Sequence, residues 1–129
     1  MSTEPRTATI NLLTVQPLEV DEPAWCAGHP DPDSDEAGAR FRVDITHDTQ
    51  PIVFKLDGVP VGEALISQAP FADRGTREIQ GFLSLHYGED RGRSPAELYD
   101  LAAAIEGHAD QLRELADRLA RILDGGEGQ

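Results

Sequence analysis

The chain has 129 residues, the length of one ordinary domain, and its composition excludes several classes of protein. It carries 24 acidic residues against 11 basic ones, and the resulting net charge of −13 repels nucleic-acid phosphates and anionic lipid surfaces alike. No stretch approaches the roughly 20 apolar residues of a membrane helix, and the first six residues lack the apolar segment of a signal peptide. Because Cys26 is the only cysteine, no internal disulfide can form. We therefore expect a soluble, cytoplasmic protein that binds neither nucleic acid nor membrane.

The N-terminal third predicts a disordered start, a hairpin and a long loop. Residues 1–6 are polar, whereas Thr7 to Val15 is rich in the β-branched and aliphatic residues that favour strands. Gln16-Pro17 interrupts this run, and Leu18 to Val20 alternates as a second short strand. Residues 21–40 predict an acidic loop, because His29 to Glu36 holds two prolines and four acidic residues with nothing apolar to bury.

The central part of the chain predicts four further strands. Phe41, Val43 and Ile45 alternate with polar residues, which predicts a strand over Phe41 to Thr46 with one apolar face. Asp57-Gly58 is a turn signal that joins two more runs of strand-forming residues into a hairpin. The predicted strands after the first are Ile52 to Leu56, Val59 to Gln68 and Ile79 to Tyr87.

The C-terminal part predicts one long helix over residues 95–123. Ser94 can cap the free amide of Glu97, whose carboxylate can reach back, and Pro95 stands where a missing N–H costs nothing. Asp124-Gly125 ends the helix, and residues 125–129 form a disordered tail. The fold class is thus α+β: a single domain over residues 7–124 with a short antiparallel sheet of five or six strands and the helix across one face.

The apolar residues of this helix form two rows with a spacing of seven, as in a coiled-coil seam. The seam consists of Leu98, Leu101, Ile105, His108, Leu112, Leu115, Leu119 and Ile122. It can pack on the chain's own sheet, or it can bind a protein partner or a second copy as a homodimer. We also consider a division in which the N-terminal half lies on the sheet and the C-terminal half on a partner. In a dimer seam, protonation of His108 would weaken the pairing.

A Cys-His motif opens the acidic loop and suggests a metal site. In Trp25-Cys26-Ala27-Gly28-His29, a turn at Gly28 would let Cys26 and His29 reach one ion, and thiolate and imidazole are ligands that zinc favours. His47 is a candidate third ligand. The fourth is open among Asp31, Asp33, Asp48 and water. In the alternative interpretation Cys26 is a buried apolar residue and the histidines are ordinary polar side chains.

Five segments together carry a resemblance to a known family. They are Arg6 to Val20, Pro23 to His29, Asp44 to His47, Leu65 to Phe71, and the helix start Ser94 to Leu98 with Leu101 to Ala104. In this order they resemble small actinobacterial proteins of the family filed as domain of unknown function 6907. The resemblance implies no established activity, but it carries Cys26, His29 and His47 over as the Cys/His positions of the family.

No motif of a known catalytic class is present, such as a nucleophile elbow, a phosphate-binding glycine loop or a zinc-protease helix. The sequence therefore favours a small non-catalytic protein-interaction or regulatory module. The alternative is a structural zinc-binding module that uses Cys26, His29 and His47. A small enzyme is a third alternative.

Overall fold

The structure is a computed structural model that describes residues 5–11, 17–34, 37–38, 41–88 and 90–125. Two separate antiparallel sheets and one long helix confirm the α+β class, although the strands do not share a single sheet. The elements are β1 (Arg6–Asn11), β2 (Pro17–Glu22), β3 (His47–Asp48), β4 (Ile52–Leu56), β5 (Val59–Gln68), β6 (Gln80–Leu85) and α1 (Pro95–Leu123).

Strands β1 and β2 form the predicted N-terminal hairpin, but β2 already includes Pro17, where a break was predicted, and extends through Asp21 and Glu22, which were predicted to belong to the acidic loop. They pair antiparallel from Arg6 opposite Glu22 to Asn11 opposite Pro17, so the first strand begins within the segment predicted to be disordered. Residues 12–16, where the strand and its turn were predicted to continue, lie outside the described residues, as do the termini at 1–4 and 126–129. The hairpin buries Ile10 and Val20 in a small cluster with Ile45.

The strand predicted over Phe41 to Thr46 is wrong. Arg42–Asp44 forms a single 3-10 turn, with Phe41 and Val43 exposed and only Ile45 buried. The alternating pattern is compatible with a strand, but a strand also needs a free edge with which to pair. Strand β5 offers none to this segment, because β3 and β4 occupy one of its edges and β6 occupies the other.

The four-stranded sheet is built around β5. Asp57 and Gly58 both have positive φ, at 51° and 79°, which gives the tight turn predicted between β4 and β5. A side chain at Gly62 would collide with the backbone of Ser84 and Leu85, so glycine permits the close approach of β6. Residues directly opposite each other share a face, and Phe54, Ala64 and Ile66 belong to the main core.

Helix α1 spans Pro95–Leu123, which are the predicted bounds. Ser94 accepts from the Glu97 amide at 3.2 Å, and the Glu97 carboxylate accepts from the Ser94 amide at 3.2 Å, which is the predicted capping box. Gly125 follows with a φ of 79°, as suits a helix C-terminus. Within the described residues, no helix combines the length and the apolar character needed to span a bilayer.

The helix packs on the sheet with its C-terminal half, which is the reverse of the predicted division. Of the eight seam residues, the last five (His108, Leu112, Leu115, Leu119 and Ile122) lie buried or partly buried against the sheet. Leu98 and Ile105 near the N-terminus are 54% and 43% exposed. The spacing of the apolar residues identified the buried face, but not where along the helix the sheet lies.

His108 lies in the chain's own core and not in a dimer seam, so the predicted protonation of such a seam does not apply. Its Nδ1 is 2.7 Å from the Tyr87 hydroxyl, and its Nε2 is 3.1 Å from the Lys55 carbonyl oxygen. A carbonyl can only accept, so Nε2 donates to Lys55, and Nδ1 shares a hydrogen bond with the Tyr87 hydroxyl. Both ring nitrogens thus have partners, and the ring centroid lies 4.8 Å from that of Phe54.

A candidate metal centre between the two sheets

The first two ligands of the candidate site come from a turn that follows β2. The Cys26 amide donates to the Pro23 carbonyl at 3.1 Å, which closes the turn. Gly28 then takes a φ of +105°, a conformation that L side chains rarely adopt, and its amide points at the Cys26 sulfur at 3.4 Å. This bend returns His29 toward Cys26, as the sequence predicted.

The third ligand comes from the other sheet. His47 begins β3 and pairs with Gln68 of β5, and it is almost completely buried. The Ala27 amide donates to the Asp48 carbonyl at 2.8 Å, which ties the Cys-His turn to β3. The site thus lies where the hairpin meets the four-stranded sheet.

The three predicted ligands converge. One ligand atom from each of Cys26, His29 and His47 lies within 4.8 Å of the other two. His29 Nε2 is 3.7 Å from Cys26 Sγ and 3.4 Å from His47 Nδ1. Two nitrogens bound to one tetrahedral zinc lie about 3.3 Å apart, and a bound sulfur and nitrogen about 3.6 Å apart, given the usual bond lengths. The two separations from His29 fit the edges of such a tetrahedron, and the Cys26 and His47 ligand atoms lie within 4.8 Å of each other.

Burial sets the charge states of the cluster. Burial raises the pKa of the Cys26 thiol, the Glu22 carboxylate adds to the increase, and the Gly28 amide opposes it. Burial also lowers the pKa of His47, and the neighbouring His29 lowers it further. A neutral His47 has a free nitrogen lone pair, which is what a metal ligand requires.

Glu22, at the end of β2, is the site residue that the sequence analysis missed. Its side chain is 8% exposed, and Oε2 accepts from the Arg6 guanidinium at 3.0 Å. Oε1 is buried without a hydrogen-bond partner and lies 3.7 Å from His29 Nε2. Burial raises the pKa of Glu22, but the side-chain interactions with Arg6 and Cys26 and the charge of Arg6 outweigh it and hold that pKa below its usual value. The carboxyl is therefore an anion that faces the cluster.

The acidic residues that were predicted as fourth ligands do not join the three. Asp48 accepts from the Thr46 hydroxyl at 2.8 Å, and Asp31 accepts from the Asp33 amide at 2.9 Å on the exposed loop. A shallow cleft lined by Thr7, Thr9, Glu22, His29 and Asp31, among others, lies beside the cluster. Its lining includes Glu22 and His29, so the cleft lies on the Glu22 side of the site.

Trp25 connects the site to the main core. Its ring is 2% exposed within that core, and its centroid lies 6.4 Å from that of His47 in an edge-on arrangement. It is the only tryptophan of the chain. Its fluorescence is therefore a local reporter of the site.

Comparison with known proteins identifies the family but no characterised relative. No curated protein and no solved structure matches the chain significantly. The family model for the domain of unknown function DUF6907 matches residues 7–121, nearly the whole chain, as the sequence resemblance implied. The chain therefore belongs to the DUF6907 family.

Proposed function

We propose that the protein is a non-catalytic domain that binds one zinc ion through Cys26, His29 and His47. The observation that carries the proposal is the convergence of the three ligand atoms within 4.8 Å. The nitrogen–nitrogen and nitrogen–sulfur separations of 3.4 and 3.7 Å support zinc, because they fit tetrahedral coordination.

Hydrogen bonding explains the cluster less well than a metal does. His29 Nε2 carries at most one hydrogen, yet Cys26 Sγ, His47 Nδ1 and Glu22 Oε1 all surround it. The distance of 3.4 Å to His47 is also longer than a normal hydrogen bond between two nitrogens. A cation at the centre would satisfy several of these acceptors at once.

The position of the site supports a structural role for the ion. Cys26 and His29 follow the hairpin, whereas His47 begins a strand of the other sheet. The hairpin has only a small apolar cluster of its own, around Ile10 and Val20. An ion bound here would hold the hairpin against the rest of the domain, as structural zinc does in small domains.

The test is the metal content of protein purified without a metal-binding tag, measured by elemental mass spectrometry. We expect about one zinc per chain in the wild type, and its loss in Cys26→Ser and His47→Gln. His86→Gln is the matched control, because His86 is exposed and lies outside the cluster. Wild-type protein that binds no zinc, before or after zinc is supplied, would contradict the proposal.

A second candidate function is protein interaction through the N-terminal half of α1. Leu98, Leu101 and Ile105 follow helical spacing on one face, and Leu98 and Ile105 stay exposed where the helix extends past the core. This surface would bind a protein partner or a second copy. Sedimentation of the wild type against Leu98→Ser/Ile105→Ser tests self-association. A monomeric wild type would leave a different protein as the partner.

A further inference from the structure

Glu22 has one buried carboxylate oxygen that makes no hydrogen bond, although the Cys26 side chain is close enough to interact with the carboxylate. Its Oε2 is paired with Arg6 at 3.0 Å, but its Oε1 is buried and has no hydrogen-bond partner. Buried carboxylate oxygens without partners are rare, because removing them from water is unfavourable unless a donor or a cation replaces the water. The side chain is more than nine-tenths buried, so solvent does not fill this role.

The unpaired oxygen points at the candidate zinc site. It lies 3.7 Å from His29 Nε2, the same separation as that between His29 Nε2 and Cys26 Sγ. His29 Nε2 thus has a sulfur, a nitrogen and an oxygen around it at 3.4 to 3.7 Å. Glu22 is not in the group of three residues whose ligand atoms all lie within 4.8 Å of one another, so its carboxylate would have to move toward Cys26 and His47 when an ion binds. Structural zinc sites have four protein ligands, and carboxylate oxygens bind zinc at about the same distance as imidazole nitrogens do.

We infer that Glu22 is the fourth ligand and closes a Cys-His-His-Glu zinc site, with Arg6 holding the carboxylate in place. This inference rests on the proposed zinc site. The charges agree with it, because one thiolate and one carboxylate balance a dication. Arg6 binds the outer oxygen, which is the supporting contact that ligating carboxylates usually have.

If Glu22 is a fourth protein ligand, the wild-type site has no open position for small anions, and this can be tested without a variant. With Glu22 bound, no water occupies the coordination sphere, so small anions have no position to enter. We expect the visible spectrum of the cobalt-substituted wild type to stay unchanged when azide is added. In cobalt-substituted Glu22→Gln, water would take the fourth position, and azide would shift the spectrum.

Zinc affinity, measured by competition with a chelator, gives the second readout. Glu22→Gln should weaken binding by about 100-fold or more, because loss of a supporting residue alone typically costs about 10- to 100-fold. Glu19→Gln, on the same strand but exposed, is the matched control and should bind zinc as the wild type does. Arg6→Leu removes the ion pair while keeping Oε1, and should weaken binding by less than Glu22→Gln does.

The outcomes separate the two proposals. If the wild type binds zinc but azide shifts its cobalt spectrum, and Glu22→Gln binds zinc unchanged, the zinc site stands and Glu22 is not its ligand. Arg6 also donates to the Ala24 and Cys26 carbonyls, so Arg6→Leu disturbs the turn that carries Cys26 as well as the ion pair. If Glu22→Gln binds zinc as tightly as Glu19→Gln does, Glu22 is not a ligand, which also overturns the inference. Absence of zinc binding by the wild type would overturn both proposals.

Discussion

The N-terminal hairpin and the sheet–helix unit differ in how they are held together. The sheet–helix unit (β3 to β6 with α1) has a core of large apolar side chains, among them Phe54, Ile66 and Ile122. The hairpin has Ile10, Val20 and Ile45, with a few partly buried neighbours. Burial of apolar surface is the main stabilising term in folding, so the two regions differ widely in that contribution.

The difference explains why a polar cluster lies at the junction. A pair of strands with so small an apolar cluster is at most marginally stable alone. Cys26 and Trp25 are adjacent, yet the tryptophan inserts into the larger core and the cysteine faces His29 and His47. The junction thus anchors the hairpin to the stronger unit, and a metal would stabilise the region that its own core stabilises least.

Removing zinc should have the largest effect that we predict, because it should destabilise the hairpin and leave the sheet–helix unit folded. With free zinc at about 1,000 times its dissociation constant, binding adds about 4 kcal/mol to the stability of the bound state. Hydrogen exchange should show that β1 and β2 lose protection on chelation, while the amides of α1 keep theirs. Equal loss of protection in α1 would mean that the two regions unfold as one. The fluorescence of Trp25 should follow the same titration.

Replacing His108 should destabilise the sheet–helix unit and leave zinc affinity unchanged. His108→Leu leaves the Lys55 carbonyl and the Tyr87 hydroxyl without their partner, at a cost of about 2 to 3 kcal/mol. Tyr87→Phe removes only one of the two hydrogen bonds and should cost about 1 kcal/mol. Chemical denaturation measures both changes. Zinc affinity should stay at the wild-type value, and a parallel loss of zinc would show that the sheet–helix unit supports the site.

Two glycine-to-alanine changes should have opposite effects in the two regions, unfavourable at Gly28 and stabilising at Gly107. Alanine at Gly28 meets no atom within 4 Å, but the φ of +105° disfavours any side chain by about 1 to 2 kcal/mol, so zinc affinity should fall about tenfold. Alanine at Gly107, exposed within α1, should instead stabilise the protein by about 1 kcal/mol and leave zinc affinity unchanged. Thermal unfolding and chelator competition on the two variants test this contrast.

Prediction from sequence succeeded where the determinants are local. The capping box of Ser94 and Glu97, the turn at Asp57-Gly58 and the bend at Gly28 each depend on a few adjacent residues. The three candidate ligands could be named because thiolate and imidazole are the groups that zinc favours. The structure brings these three residues together, and their binding of zinc stays a prediction.

Prediction failed where long-range pairing decides the outcome. The segment Phe41 to Thr46 has the alternation of a strand, but other strands already occupy both edges of β5, and Arg42–Asp44 forms a 3-10 turn instead. Glu22 was missed because its approach to His29 depends on the bend after β2, and its support from Arg6 on the strand register. The predicted turn at Gln16-Pro17 would not have given this register, because the observed pairing places Pro17 within β2, opposite Asn11.

The smallest effect we predict is a pH dependence of stability that comes from Glu97, in the first turn of α1. Its hydrogen bonds to Ser94 and its ion pair with Arg91 at 2.9 Å lower the pKa of Glu97 below 4.5. A carboxyl whose pKa is lowered by folding stabilises the folded state above its unfolded pKa, and that contribution disappears as the pH falls through the folded value. The stability difference between the wild type and Glu97→Gln should therefore be present at pH 6 and shrink below about pH 4.5, as thermal melts followed by circular dichroism would show. Glu106→Gln, an exposed change in the same helix, is the control.

Glu97 lies outside the candidate zinc cluster, so zinc affinity at neutral pH should be equal in the wild type, Glu97→Gln and Glu106→Gln. A lower zinc affinity in Glu97→Gln would show that the start of α1 and the candidate site are coupled.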